Sequence, residues 1–242
     1  LADWREALDA YEELGDAEAV GRVSSDMVSQ LRWGARFEEA LEMSRRGLTA
    51  VGERMSTDRC LLLARAGHIL SGLGQYAAGN GMITQALDMA EQLGDQRLLG
   101  EVLRSKAALH WHHIEMPQAV DSGLRAAELL RSAGDFWNLA DALMFTQYGL
   151  LILGRLDDVA QIGEELEPLA ARVGHLFALM LAGRARGVRE FMLTADIDRF
   201  EEFARGELEL YRAAGIGWTS NYYIYLGLAH FWRGRWQEAL ES

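Results

Sequence analysis

Glycine recurs at turn positions twice in roughly every forty residues, and that spacing limits the fold more than any other property of the chain. One series is Leu14-Gly15-Asp16, Leu93-Gly94-Asp95, Ala133-Gly134-Asp135, Val173-Gly174-His175 and Ala214-Gly215-Ile216; its last four glycines stand 40, 40 and 41 residues apart. Glycine suits the position after a helix because a positive φ costs it no Cβ clash. An aspartate that follows can accept the free N–H groups of the next helix. A second series, Gly34, Gly74, Gly154 and Gly234, falls midway. Bulky apolar residues follow at 37, 76, 156 and 236, Trp4 opens the same motif at the start of the chain, and looser counterparts stand at 116 and 197; the successive separations are 33, 39, 40, 40, 41 and 39.

Two turns per period leave two helices per period. First helices are expected near 16–33, 57–73, 96–113, 136–153, 175–194 and 216–233, and second helices near 2–14, 36–52, 76–93, 116–133, 156–173 and 197–214, with a last one opening at Trp236. Tyr76, Met82, Ile83, Ala86, Leu87 and Ala90 recur at the i+3 and i+4 spacing of an amphipathic helix. Pro117 falls in a first turn, where its missing N–H costs nothing. Pro168 falls late in a helix and predicts a kink or early fraying. The whole reads as all-α, a solenoid of about twelve or thirteen antiparallel helices. It is expected to form one repeat domain over 1–242, truncated at both ends. Repeats run at about 16–54, 55–94, 95–134, 135–174, 175–215 and 216–242, and residues 1–15 supply the second helix of a preceding repeat.

Composition narrows the function. The net charge of −12 disfavours direct nucleic-acid binding, which needs a basic face to replace counterions, and disfavours an anionic membrane surface. No apolar run approaches the roughly 18–20 residues of a membrane span; Leu143 to Leu153 is broken by Thr146, Gln147 and Tyr148. Cys60 is alone, so no internal disulfide can form. A cytoplasmic chain is expected. Lys106, the one lysine, lies between Ser105 and Ala107, outside any Gly-Lys-Ser/Thr phosphate loop.

Gly234 to Leu240, Gly-Arg-Trp-Gln-Glu-Ala-Leu, resembles the start of the second helix of a tetratricopeptide repeat. Small residues at Gly67, Ala107 and Gly227, with Gly187 one place out, match the family position where paired helices approach, and Ala86 and Ala126 match a second. The resemblance implies a right-handed superhelix whose inner surface is lined by first helices. The period near 40 rather than 34, with Gly-Asp in place of the closing proline, is similar to MalT-type repeats. Those repeats form sensor regions of bacterial signalling ATPases, LuxR-type transcription regulators and ATPase-linked nucleotide cyclases.

Chemistry-bearing clusters are sparse. His110-Trp111-His112-His113 has too few neighbouring ligands for a structural zinc site and reads as helix-end histidines. Gly79-Asn80-Gly81 has no preceding strand and reads as small residues for helix packing. The pairs Glu38-Glu39 and Glu201-Glu202 read as solvated, and Cys60 as a core filler. No catalytic residue, cofactor or metal is expected. Carrying the tetratricopeptide groove positions over, the resemblance implies a binding surface at His68, Arg104, Trp111, Tyr148, Arg189 and Phe231, with Leu61, Ala64, Ser71, Glu101, Ala108, Asp141, Met144, Leu151, Met192, Ile224 and Leu228 beside them. More rings crowd the last first helix (Trp218, Tyr222, Tyr223, Tyr225, Phe231, Trp232) than one buried stripe absorbs.

The leading expectation is a protein- or peptide-binding scaffold, the regulatory arm of a larger bacterial protein, whose partner could be another domain of the same parent chain. The alternatives are a small-molecule or peptide-pheromone sensor, which requires an inner face not filled by its own side chains, and a structural self-association module that oligomerises.

Overall fold

The structure, a computed structural model, describes residues 2–213 and 220–241, with side chains described for all of these except 220 and 221. Every regular element among the described residues is an α-helix. In order they are α1 (Ala2–Glu13), α2 (Ala17–Trp33), α3 (Phe37–Val51), α4 (Thr57–Gly72), α5 (Tyr76–Leu93), α6 (Gln96–His112), α7 (Met116–Ala133), α8 (Phe136–Ile152), α9 (Leu156–Val173), α10 (Leu176–Thr194), α11 (Ile197–Ala213), α12 (Ser220–Trp232) and α13 (Trp236–Glu241). Helices α3, α5, α7, α9, α11 and α13 each begin on the bulky residue that marked them in the sequence. The Ala214-Gly215-Ile216 turn and Trp218 lie outside the described residues.

The caps follow local chemistry. Asp16, Asp95 and Asp135 accept the backbone N–H of Ala19, Leu98 and Asn138 at 3.0, 3.0 and 3.2 Å. Each such cap is worth about 1 kcal/mol. At the head of α10 His175 takes the aspartate's place, its Nδ1 accepting from the Ala178 N–H at 3.1 Å. Helix α9 runs through Pro168 to Val173, so the expected early fraying does not occur.

Gly34 ends α2 as the sequence indicates, but its φ is −79°, and the left-handed residue of that turn is Ala35, at +55°. The inner turns alternate: Gly74, Gly154 and Gly234 are left-handed glycines, whereas Ala35, Ile114 and Ala195 hold the same conformation with a Cβ. A β-branched side chain there costs on the order of 1–2 kcal/mol. Ile114 is 77% exposed, so its removal forfeits little burial. Ile114→Gly is therefore expected to stabilise the chain by about 1 kcal/mol, read as a higher urea midpoint; an unchanged or lower midpoint would show that the turn carries no such strain.

The chain divides into two compact units, Leu1–Leu179 and Met180–Ser242, with α10 crossing the boundary. In the first, α2 pairs with α3, α4 with α5, α6 with α7 and α8 with α9, and the first helices α2, α4, α6 and α8 pack in succession. Leu62, Ile69, Met27, Val28 and Leu31 fill one interior layer, and Cys60, Ile83, Ala86, Val102 and Leu109 the next. Each fully buried large aliphatic contributes roughly 1.5–3 kcal/mol. Cys60 is core, as expected: its Sγ donates to the Ala86 carbonyl, and burial pushes its thiol up to about 12. Gly67 and Gly79 mark the closest approach of α4 and α5.

Ion pairs one repeat apart stitch this unit together: Arg97–Asp135 at 2.8 Å, Arg104–Asp141 at 2.8 Å and Arg131–Glu165 at 2.9 Å. In the second unit Ala204, Leu208, Tyr211, Tyr222 and Leu226 form the core. Glu201, expected in solvent, is buried there among Arg205, Arg233, Arg235 and His230, because the Arg233–Arg235 turn folds back onto α11.

Candidate functional site

Positions i, i+4 and i+7 of a helix share a face, so Arg104, Ala108 and Trp111 of α6 point one way, and Asp141, Tyr148 and Phe145 of α8 cluster beside them. In the first unit these faces meet. Trp111 lies 5.9 Å from Phe145 and 6.2 Å from Tyr148 between ring centroids, and His68 of α4 lies 5.8 Å from Phe145 and 5.6 Å from His112. Side chains from the last turn of α2 join them. Trp33 packs edge-on against His175 at 4.9 Å, Phe177 at 5.8 Å and Trp137 at 6.4 Å, while Trp137 stacks on His175 at 4.4 Å. Repeats normally touch only their neighbours; here α2 reaches α8, three repeats on.

The charges converge on Asp141, which is 1% exposed. Arg104 donates to it at 2.8 Å, and Arg32, lying over the Trp33 ring, approaches it to 3.5 Å. The Nδ1 of His175 is an acceptor at its cap, so the proton sits on Nε2, which stands 3.9 Å from the Asp141 carboxylate. Burial pulls the Arg32 guanidinium down to about 10, only partly offset by Asp141, with Arg104 and Arg65 adding to the fall.

Of the six residues the resemblance singled out, His68, Arg104, Trp111 and Tyr148 therefore come together in the first unit, but His68, Arg104 and Tyr148 are buried rather than open to a groove. The inner face is filled by its own side chains. Arg189 and Phe231 belong to the second unit. Arg32, Trp33, Trp137, Phe145 and His175 were not anticipated. The signal available was the Arg32-Trp33 pair just before the Gly34 turn.

Burial, reinforced by Arg32, Arg104 and His112, holds the His68 imidazole well below its ordinary range. Burial likewise lowers His175, the Asp141 carboxylate opposing the shift. Both are neutral in the fold and protonate more readily in the unfolded chain, so the unfolded state binds more protons and stability rises with pH in this window. Their contribution is complete above about pH 6.5 and is lost as pH falls below it, at up to about 1.4 kcal/mol per pH unit for each. Urea midpoints at pH 7 and pH 5 measure it. A midpoint equal at the two values would mean that these rings are not desolvated.

The His110-Trp111-His112-His113 run separates by role. His110 Nδ1 pairs with Glu115 at 2.6 Å, Tyr76 donates to the same carboxylate at 3.1 Å, and His113 packs on the Tyr76 ring at 4.2 Å. A cleft of about 310 Å³ beside His110 is lined by Lys106, Gln118, Asp121 and Ser122, and one of about 590 Å³ lies among α3, α4 and α5. Among the described residues no three His, Cys, Asp or Glu side chains are grouped to hold a metal, and no helix is long and apolar enough to cross a membrane.

The second unit offers a different surface. Ile224, Leu228 and Phe231 recur at i, i+4 and i+7 on α12 and are 58, 39 and 51% exposed. Trp236 of α13 extends the stripe, its ring 4.9 Å from that of Phe231. Tyr222, by contrast, is fully buried, its hydroxyl paired with that of Tyr211 at 2.8 Å and with the Glu207 carboxylate at 3.1 Å. Part of the aromatic excess is therefore core and part is surface.

No family model matches the chain, and no curated protein matches it in sequence. Solved structures do match it in fold. Aspartyl phosphate phosphatase F from Bacillus subtilis superposes with a TM-score of 0.68 over 91% of this chain at 14% identity. The chain spans 57% of that protein's length. BtubC (BKLC) from P. vanneervenii gives 0.59 at 17% identity, covering 86% of this chain and 85% of its own. At such identities the likeness is one of fold: this is an all-helical, tetratricopeptide-like repeat chain.

Proposed function

We propose that the chain is a protein- or peptide-binding scaffold, the regulatory arm of a larger bacterial signalling or transcription-regulatory protein. The observation that carries this reading is the apolar stripe on α12. Ile224, Leu228 and Phe231 present one face to solvent at the spacing by which an amphipathic helix docks. Contiguous apolar patches of this kind mark interaction sites. The filled inner face of the first unit favours a macromolecular partner on the second unit over a small molecule in a preformed cavity. The fold likeness to a bacterial protein named for aspartyl phosphate supports a signalling setting.

The test places a photo-crosslinking phenylalanine at position 228 of the full-length protein in cells. An adduct with another protein or another domain is expected, and Phe231→Asp should reduce it at least tenfold while helicity by circular dichroism is unchanged. Cross-links confined to the repeats themselves would remove this reading.

A further inference from the structure

The contact that ties α2 to α8 is made by side chains alone. Successive first helices pack closely, α2 on α4, α4 on α6 and α6 on α8, but among the described residues the backbone of α2 does not approach that of α8. Two adjacent residues in the last turn of α2 make the reach. Trp33 meets the rings of His175, Phe177 and Trp137, and Arg32 approaches Asp141 to 3.5 Å. Arg32 also stands close enough to the His68 and His112 imidazoles to help lower both, so its charge is felt on α4 and α6 as well.

Opposing effects act on this contact. Edge-on and stacked rings favour the closed arrangement. Against it, the Trp33 indole N–H is buried without an acceptor, and an unmatched buried donor opposes burial. Water would satisfy that donor on release. Asp141 would keep its Arg104 hydrogen bond at 2.8 Å, so no carboxylate would be stranded. Arg32 and Trp33 are only partly buried, so neither has to cross the interior to leave.

We propose that Arg32 and Trp33 form a releasable clasp that holds the inner face of the first unit shut, and that its opening bares the His175 ring and the Arg104–Asp141 pair while every repeat stays folded. The open and closed forms are two populations of one chain. The open form presents a charged pair flanked by rings, a surface that the closed form lacks. The clasp is separate from the α12 stripe, and either can exist without the other.

Distances between spin labels on the full chain test it, with labels at Gln30→Cys and Leu176→Cys in a Cys60→Ala background. Both labelled positions are exposed, and Cys60 is the one native thiol. With Arg32 and Trp33 intact, the distance should be short and narrowly distributed. Trp33→Ala should lengthen and broaden it, and Arg32→Gln should add a longer population. Both variants should raise the fluorescence of bound anilinonaphthalene sulfonate several-fold, with helicity by circular dichroism unchanged. If Trp33→Ala does not fold, Arg32→Gln decides the matter. A distribution identical in all three chains would overturn the proposal. So would a loss of helicity in both variants, which would show the contact to be core that the repeats need in order to fold.

Discussion

Asp141→Asn should lower the stability of the chain by about 3 kcal/mol, because it strips the buried Arg104 and the part-buried Arg32 of their shared counter-charge. The carboxylate takes the Arg104 hydrogen bond at 2.8 Å and lies near both Arg32 and the His175 Nε2–H. An amide keeps the shape and one acceptor but presents an N–H toward groups that already have donors to spare. Urea denaturation gives the loss directly. A double-mutant cycle with Arg104→Gln should show coupling above about 1 kcal/mol, since the two side chains share a desolvated pair. A loss below 1 kcal/mol would mean that water reaches the pair freely and that the first unit is not closed around it.

Gly79→Ala and Gly81→Ala should move stability in opposite directions. A Cβ at Gly79 would stand 2.6 Å from the Gly67 carbonyl oxygen, backbone against backbone, and neither atom can rotate away. Helices α4 and α5 would have to separate, at a net cost of about 2 kcal/mol after the helical advantage of alanine. A Cβ at Gly81 meets nothing within 4 Å, so its replacement should gain about 0.5–1 kcal/mol. Paired melting curves decide the matter. Equal shifts would show that the helix approach at Gly67 is not tight. The same comparison revises the reading of Gly79-Asn80-Gly81 as a packing motif, of which only the first glycine packs.

What could be read from the residues was what local chemistry controls. Left-handed glycines, aspartate caps and bulky helix starts act within a few residues, so the helix limits emerged from spacing alone. The burial of Cys60 and the small-residue contact at Gly67 followed from the repeat register. The burial of His68, Arg104 and Tyr148 was not legible. Whether Arg104 and Tyr148 face an open channel or a filled one depends on how far each repeat rotates on the last. That rotation brings Trp33 against His175, four first helices later, and no pattern within a single repeat encodes such a meeting. Glu201 escaped for a related reason: its partners, Arg233 and Arg235, belong to a turn one repeat on.

The alternation of inner turns sets the grain of the chain's assembly. Hairpins α4–α5 and α8–α9 close over glycine and can form early from their own residues. Those joined at Ala35, Ile114 and Ala195 must overcome a steric toll and wait for a preformed neighbour to offset it. Nucleation sites thus recur every second hairpin, and the natural block of folding and unravelling is a pair of repeats rather than one.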